Sequence, residues 1–248
     1  MSTHRFYLAP DRWLQEQPEL ESADAHHCAD VLRLEVGDIV MTFDGLGMVA
    51  EAELLEVHRK HCKLRIGRQA MTTEPRCAIT LAQAVPKGKN MELVLQKAVE
   101  LGASAIVPLL TDRTVVRLEE GDAARKRERW QQIALEACKQ CGRNTIPLVE
   151  LPCTVEQFLA NRSEELILLA SLQPDARGIK EVLGAYQRDN RTLLTSVSVL
   201  IGPEGDFTPD EITLVKAAGA VPITLGPIIL RTETAALYCL SVLGHELF

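Results

Sequence analysis

Val197-Ser-Val-Leu-Ile201 runs into Gly202-Pro-Glu-Gly205, and two residues later Thr208-Pro-Asp-Glu211 begins. The apolar run has the length of a buried strand, and glycine with proline stops it. Thr208 and Glu211 stand three apart with Pro209 between them, which is a capping box with proline at the first helical position, so a helix starts there. Gly219 can close that helix, Val221 to Leu225 reads as a second strand, and Gly226-Pro227 opens a loop ending at Arg231-Thr-Glu-Thr-Ala235. Thr232 is the expected N-cap of the last helix. The two Gly-Pro loops are either plain tight turns or bends that offer backbone amides and carbonyls to a flat polar ligand.

Upstream the same alternation continues. Ala78 to Val85 reads as a buried strand, Met91 to Leu101 as a helix that Gly102 ends, and Ser104 to Leu109 as the next strand. A helix over Asp122 to Cys141 carries Trp130, Ile133, Ala134, Ala137, Cys138 and Cys141 on one apolar stripe. Leu166 to Ala170 reads as a strand, with a helix after it near Ile179 to Gln187. Strands and helices in this order imply a mostly parallel sheet covered on both faces, and such sheets bind ligands at the carboxyl ends of their strands. The first seventy residues differ: Asp38 to Phe43, the turn Asp44-Gly-Leu-Gly47, Met48 to Val57 and Cys62 to Gln69 predict a small β-barrel.

The 248 residues, 46% hydrophobic and 25% charged, suffice for globular cores without metals or disulfides. The opening residues lack the long apolar core of a signal peptide, no apolar run reaches membrane-spanning length, and seven scattered cysteines suit a reducing compartment. A cytoplasmic protein with no membrane contact is expected. A net charge of −7 argues against a surface coated with phosphate-binding residues. Locally, Arg59, Lys60, Lys63, Arg65 and Arg68 fall in an acid-free stretch, either an RNA-facing rim or a solvated strand face.

Neither G-x-G-x-x-G after a strand nor G-x-x-x-x-G-K-[ST] occurs, which removes the main support for dehydrogenase and kinase readings. Cys138-Lys-Gln-Cys141 has no second pair at zinc-ribbon spacing, and its thiols fall on the stripe with Trp130, so a core role is expected. His26-His27-Cys28 likewise has no matching ligand group, and no metal is expected.

Leu200-Ile-Gly-Pro-Glu-Gly205, Leu225-Gly226 and Leu230-Arg-Thr-Glu-Thr-Ala235 together resemble the cofactor-binding region of the RsmE family, RNA methyltransferases of the SPOUT class. The resemblance extends to Arg5-Phe-Tyr7, His27, Val31-Leu-Arg33 and Gly37-Asp38, and to Pro86-Lys87, Lys97, Glu100-Leu-Gly102, Pro108, Arg113, Arg129-Trp130 and Gly142-Arg143. It implies a PUA-like β-barrel RNA-binding domain over residues 1–72 and, over 73–248, an α/β domain with a trefoil-knotted parallel sheet. It further implies S-adenosylmethionine (SAM) as methyl donor, a homodimer, and N3 of a uridine in 16S rRNA of the 30S subunit as target. A SPOUT enzyme acting on a ribose hydroxyl or a tRNA base, and a catalytically silent RNA-binding module, are the alternatives. Two positions depart from the family: Asp206 replaces a usual glycine, and Ile228 replaces a usual arginine.

On this resemblance SAM should lie against Ile201, Gly202, Pro203, Glu204, Gly205, Leu225, Gly226, Ile229, Leu230 and Thr232. Methylation at N3 requires loss of an imide proton, so a cation that stabilises the base anion and a carboxylate that takes the proton are needed. Arg231 and Glu233 have those chemistries, although Glu233 in a first helical turn would also favour the helix dipole. Arg5, Arg33, Lys87, Arg113 and Arg143 are the candidate RNA phosphate contacts, and each could instead be a fold-supporting cation.

Overall fold

The computed structural model describes residues 4–13, 15–116 and 121–248. The chain divides into two compact units, 1–74 with 138–146, and 75–137 with 147–248.

The first unit contains β1 (Arg5–Tyr7), α1 (Pro10–Trp13), β2 (Glu19–Glu21), α2 (Ser22–His26) with one π-helical turn after it, β3 (Ile39–Phe43), β4 (Met48–Val57) and β5 (His61–Met71). They form one five-stranded sheet in the order β1-β3-β4-β5-β2. Alternation sets its inner face: Ala50, Ala52 and Leu54 of β4 are buried, Ala52 and Leu54 packing with Phe6, Val40, Cys62 and Leu64, and Ala50 with Leu8 and Trp13. The β3–β4 turn is built as its sequence predicts, because the Asp44 carboxylate accepts the amides of Leu46 and Met48 at 2.8 and 2.9 Å, and Gly45 and Gly47 supply positive φ. The strands β1 and β2 are not legible in the sequence, since three residues carry no measurable alternation. Residues 138–146 group here because Ile146 N–H donates to Gly45 O at 3.0 Å and the Arg5 guanidinium donates to Asn144 Oδ1 at 2.5 Å.

The second unit comprises β6 (Ala78–Ala84), α3 (Asn90–Glu100), β7 (Ala105–Leu109), α4 (Asp122–Cys141, its last turn in the first unit), β8 (Leu148–Val149), α5 (Val155–Asn161), β9 (Leu166–Ala170), β10 (Arg177–Gly178), α6 (Ile179–Asn190), β11 (Ser196–Ile201), α7 (Pro209–Ala217), β12 (Val221–Thr224) and α8 (Thr232–Leu247). All seven strands are parallel, in the order β10-β12-β9-β11-β6-β7-β8. Val197, Val199, Leu200 and Ile201 of β11 are buried on both faces, which is why that strand reads as a continuous apolar run. The order places β9 between β11 and β12, so the loops after these three strands leave one edge of the sheet side by side. Helix α8 returns to pack on α3, β6 and β11.

Two local expectations need correction. The apolar stripe of α4 is buried at Trp130, Ala134, Ala137 and Cys138, but Cys141 is exposed, because it is the last helical residue and the stripe ends a turn earlier. The N-cap of α8 is Arg231; Thr232 is the first helical residue and its hydroxyl is used elsewhere. Among the described residues no helix is long and apolar enough to cross a membrane.

Candidate active site

The loop after β11 is fixed from several directions. Phe207 is buried in the core with Leu200 and Ile212 and anchors its far end. Asp206 N–H donates to Pro203 O at 2.9 Å, and Asp206 takes φ +61° while its carboxylate accepts the Phe207 amide at 2.8 Å. An aspartate can hold this left-handed position because its short side chain bonds locally. Gly202 is required by close approach: a Cβ there would stand 3.1 Å from the Phe207 ring and 3.2 Å from Asp206 Oδ1. The capping box forms as expected, Thr208 accepting the Glu211 amide at 3.3 Å and Glu211 accepting the Thr208 amide at 2.8 Å. The other oxygen of Glu211 accepts Asp112 N–H at 3.0 Å, tying the loop after β7 to the start of α7.

That tie places Arg113, whose guanidinium donates to Gly205 O at 2.7 Å and Phe207 O at 3.4 Å. The Glu204 carboxylate accepts Lys87 N–H at 3.0 Å. From below, the buried Thr232 hydroxyl donates to Gly202 O at 2.7 Å and accepts from Gln83 Nε2 at 2.9 Å. One hydroxyl thus joins β6, the loop after β11 and the start of α8. An unpaired buried carbonyl costs about 1–3 kcal/mol, so this contact fixes where Gly202 sits.

A cleft of about 490 Å³ opens at this edge, in the size range of small-molecule sites. Ile201, Gly202, Pro203, Glu204, Leu225, Gly226, Ile229, Leu230 and Thr232 line it, and so do Arg231 and Glu233. Gly205 does not; its carbonyl is turned to Arg113. Asp206 and Ile228 line it as well, and so do Ala170, Ser171 and Leu172 at the end of β9, with Asn90 and Ala235, which the sequence did not point to. Their only signal was the buried run Leu166 to Ala170, and its place beside β11 and β12 is a matter of strand order. The lining mixes apolar side chains with main-chain groups at two glycines, which suits a ligand with an aromatic base and a polar tail. Arg231 is exposed at the mouth and Glu233 half-buried in the first turn of α8.

Within each unit some of the candidate RNA contacts meet: the Arg5 guanidinium donates to Arg143 O at 3.4 Å, and Lys87 N–H and the Arg113 side chain both bond the loop after β11. Arg5, Arg33 and Arg143 belong to the first unit, Lys87 and Arg113 to the second. Arg33 and Lys87 are exposed. Arg5 is half-buried, with its guanidinium 5.0 Å over the Phe43 ring, and Arg113 braces the cleft loop.

A family profile described as an RNA methyltransferase domain matches residues 73–244, and one described as an RNA methyltransferase PUA domain matches residues 20–67. Ribosomal RNA small subunit methyltransferase E of a Synechocystis strain is 35% identical, over 96% of this chain and 76% of its own. The protein of that name in Bacillus subtilis is 33% identical, over 94% and 92%. The crystal structure of the Neisseria gonorrhoeae protein of that name bound to SAM superposes with a TM-score of 0.85 at 31% identity, over 98% of each chain. A SAM-bound methyltransferase structure from Legionella pneumophila does so with a TM-score of 0.88 at 35% identity, over 99% and 98%. In sequence along nearly its full length, and in fold, the chain belongs to the RsmE family of RNA methyltransferases.

Proposed function

We propose that this chain transfers the methyl group of SAM to N3 of a uridine in the 16S rRNA of the 30S subunit. The observation that carries the reading is the cleft itself: a pocket of cofactor size at three adjacent strand ends, with an arginine and a carboxylate on its rim. SAM supplies a methyl group on a positively charged sulfur. The apolar walls at Ile201, Leu225 and Leu230 and the main-chain groups at Gly202 and Gly226 would hold its adenosyl part. Arg231, free to reach past the mouth, would meet a uracil oxygen and lower the cost of the N3 anion. Glu233, one turn-position deeper, would accept the N3 proton or orient Arg231.

Residues 1–72 serve in this reading as the PUA-like RNA-binding domain and 73–248 as the methyltransferase domain. The enzyme works as a homodimer with a trefoil-knotted sheet. Support for the dimer comes from isoleucines 228 and 229, which are 69% and 80% exposed beside the cleft and would gain from cover by a second copy. Support for the knot comes from the start of α8, bonded to both Gly202 and Gln83. A cytoplasmic location fits an enzyme acting on ribosomal subunits. Purified 30S particles incubated with labelled SAM should gain label at one uridine, mapped by mass spectrometry as a base modification that blocks pairing. Label on a ribose, or on tRNA in preference to 30S particles, would move the protein to another target.

A further inference from the structure

The hairpin joining β4 to β5 carries chemistry that methyl transfer does not use. Glu56 is the next-to-last residue of β4, His58 opens the turn and His61 begins β5. The turn is closed by His58 N–H donating to His61 O at 3.0 Å, and Val57 pairs with Cys62 directly behind it. This backbone frame brings three side chains to one point. Glu56 Oε1 lies 3.2 Å from His58 Nε2 and 3.2 Å from His61 Nε2, and the three atoms all fall within 4.8 Å of one another.

The spacing has a chemical meaning. Ligands bound tetrahedrally to zinc at about 2.0–2.1 Å lie about 3.3–3.4 Å from each other, so two of the three edges already match to within a small side-chain rotation. The remaining oxygen of Glu56 accepts from Lys63 Nζ at 2.6 Å. That contact holds the carboxylate plane and leaves Oε1 as a single-atom ligand, an outer-shell arrangement typical of metal-bound carboxylates. Arg59, in the turn between the histidines, is held by Asp30 at 2.7 Å. Two imidazoles and one carboxylate suit zinc, nickel, cobalt or copper, whereas magnesium and calcium require more oxygen ligands.

We propose that Glu56, His58 and His61 form a surface site for one zinc-class divalent ion, with three protein ligands and at least one position open to solvent. The site is independent of the cleft and of the methyltransferase reading. Spaced Glu-x-His-x-x-His across a hairpin, its ligands converge only because β4 and β5 pair in the register observed.

The test uses the full-length protein carrying Cys141→Ser, which removes the exposed thiol as a competing ligand. Cobalt titration followed by visible absorption, and zinc titration by calorimetry, should both give one ion per chain. His58→Ala or His61→Ala should weaken binding at least about tenfold, and the double variant should abolish it. Far-UV circular dichroism checks that these substitutions, at exposed His58 and half-buried His61, leave the fold intact. As a readout that needs no variant at the site, paramagnetic nickel should broaden the ring proton signals of His58 and His61 before those of the other histidines. No ion bound at hundredfold excess, or cobalt bound equally well by the double variant, would overturn the proposal.

Discussion

The cleft is bounded by two loops that begin with the same dipeptide and are built in opposite ways. After β11, Gly202-Pro203 enters a loop held by Thr232, Arg113, the Lys87 amide and the side chain of Asp206, and pinned by buried Phe207. After β12, Gly226-Pro227 enters a loop whose local ties among the described residues are two long contacts of 3.4 and 3.5 Å between Gly226 and the Thr224 hydroxyl. Its isoleucines 228 and 229 face solvent. The first loop is a preorganised floor that loses little entropy when a ligand arrives. The second is a wall that its ligand or a second copy must complete, so binding energy spent on ordering it is subtracted from affinity. Chemistry is expected to depend on the open side, which carries Arg231, and cofactor affinity on both sides.

The largest effect should come from the open side. Arg231→Ala should lower turnover on 30S particles by at least about a hundredfold, the scale set by loss of one donor to a developing anion. Arg231 is exposed, so the thermal midpoint should stay near that of the parent, and SAM affinity, measured alongside, separates a loss of chemistry from a loss of cofactor binding. Steady-state methylation with calorimetry on the same preparation checks this; wild-type turnover would remove Arg231 from the mechanism.

Thr232→Val comes next and acts on the braced side. It keeps the shape of the side chain but deprives Gly202 O of its donor and Gln83 of one acceptor, at a cost of about 1–3 kcal/mol in stability. If the loop shifts, SAM affinity should fall about tenfold, equivalent to about 1.4 kcal/mol. Thr232→Ser should restore most of both. Denaturant unfolding and SAM calorimetry on the three proteins decide; a valine variant as tight and as stable as the parent would show that the hydroxyl is dispensable.

A smaller effect is expected for Arg113→Ala, since its bonds to Gly205 O and Phe207 O are at the surface. Stability should drop by no more than about 1 kcal/mol and SAM affinity by a few fold. The same variant separates two roles. As a brace, Arg113 leaves the salt dependence of 30S binding unchanged; as a phosphate contact, its loss makes the log–log slope shallower by about one.

The elements around the two loops were readable in the chain, but the contrast between the loops was not, since both begin Gly-Pro. The capping box at Thr208 and the buried runs of β9 and β11 are local signals, and helix α4 ends where Gly142 predicts. The cleft residues after β11 and β12 were legible mainly through the family resemblance of their motifs. What could not be read depends on strand order and on contacts far apart in sequence. Ser171 and Leu172 join the site only because β9 lies between β11 and β12, and Gln83 meets Thr232 across 149 positions. Thr232 itself was misread as a cap, since a threonine before an acidic first turn has the composition of one, while its actual partners come from two other strand ends. Glu56, His58 and His61 carried no signal in the sequence, and their convergence follows from the pairing of β4 with β5.

The smallest predicted effect concerns Asp206, the residue of the braced loop in a left-handed conformation. Asp206 holds φ +61°, a region that costs an ordinary side chain about 1–2 kcal/mol and an aspartate less. Asp206→Gly would relieve that strain, but it would remove the carboxylate that accepts Phe207 N–H and add backbone freedom to the unfolded chain. These terms oppose one another at similar size, so stability should change by less than about 0.5 kcal/mol and SAM affinity by less than about twofold. Asp206→Val keeps neither the local bond nor tolerance of positive φ, and should lose about 1–2 kcal/mol. A glycine variant that bound SAM much more tightly would mean that this aspartate holds the floor in a shape the cofactor must correct, and the braced loop would then be no more preorganised than the open one.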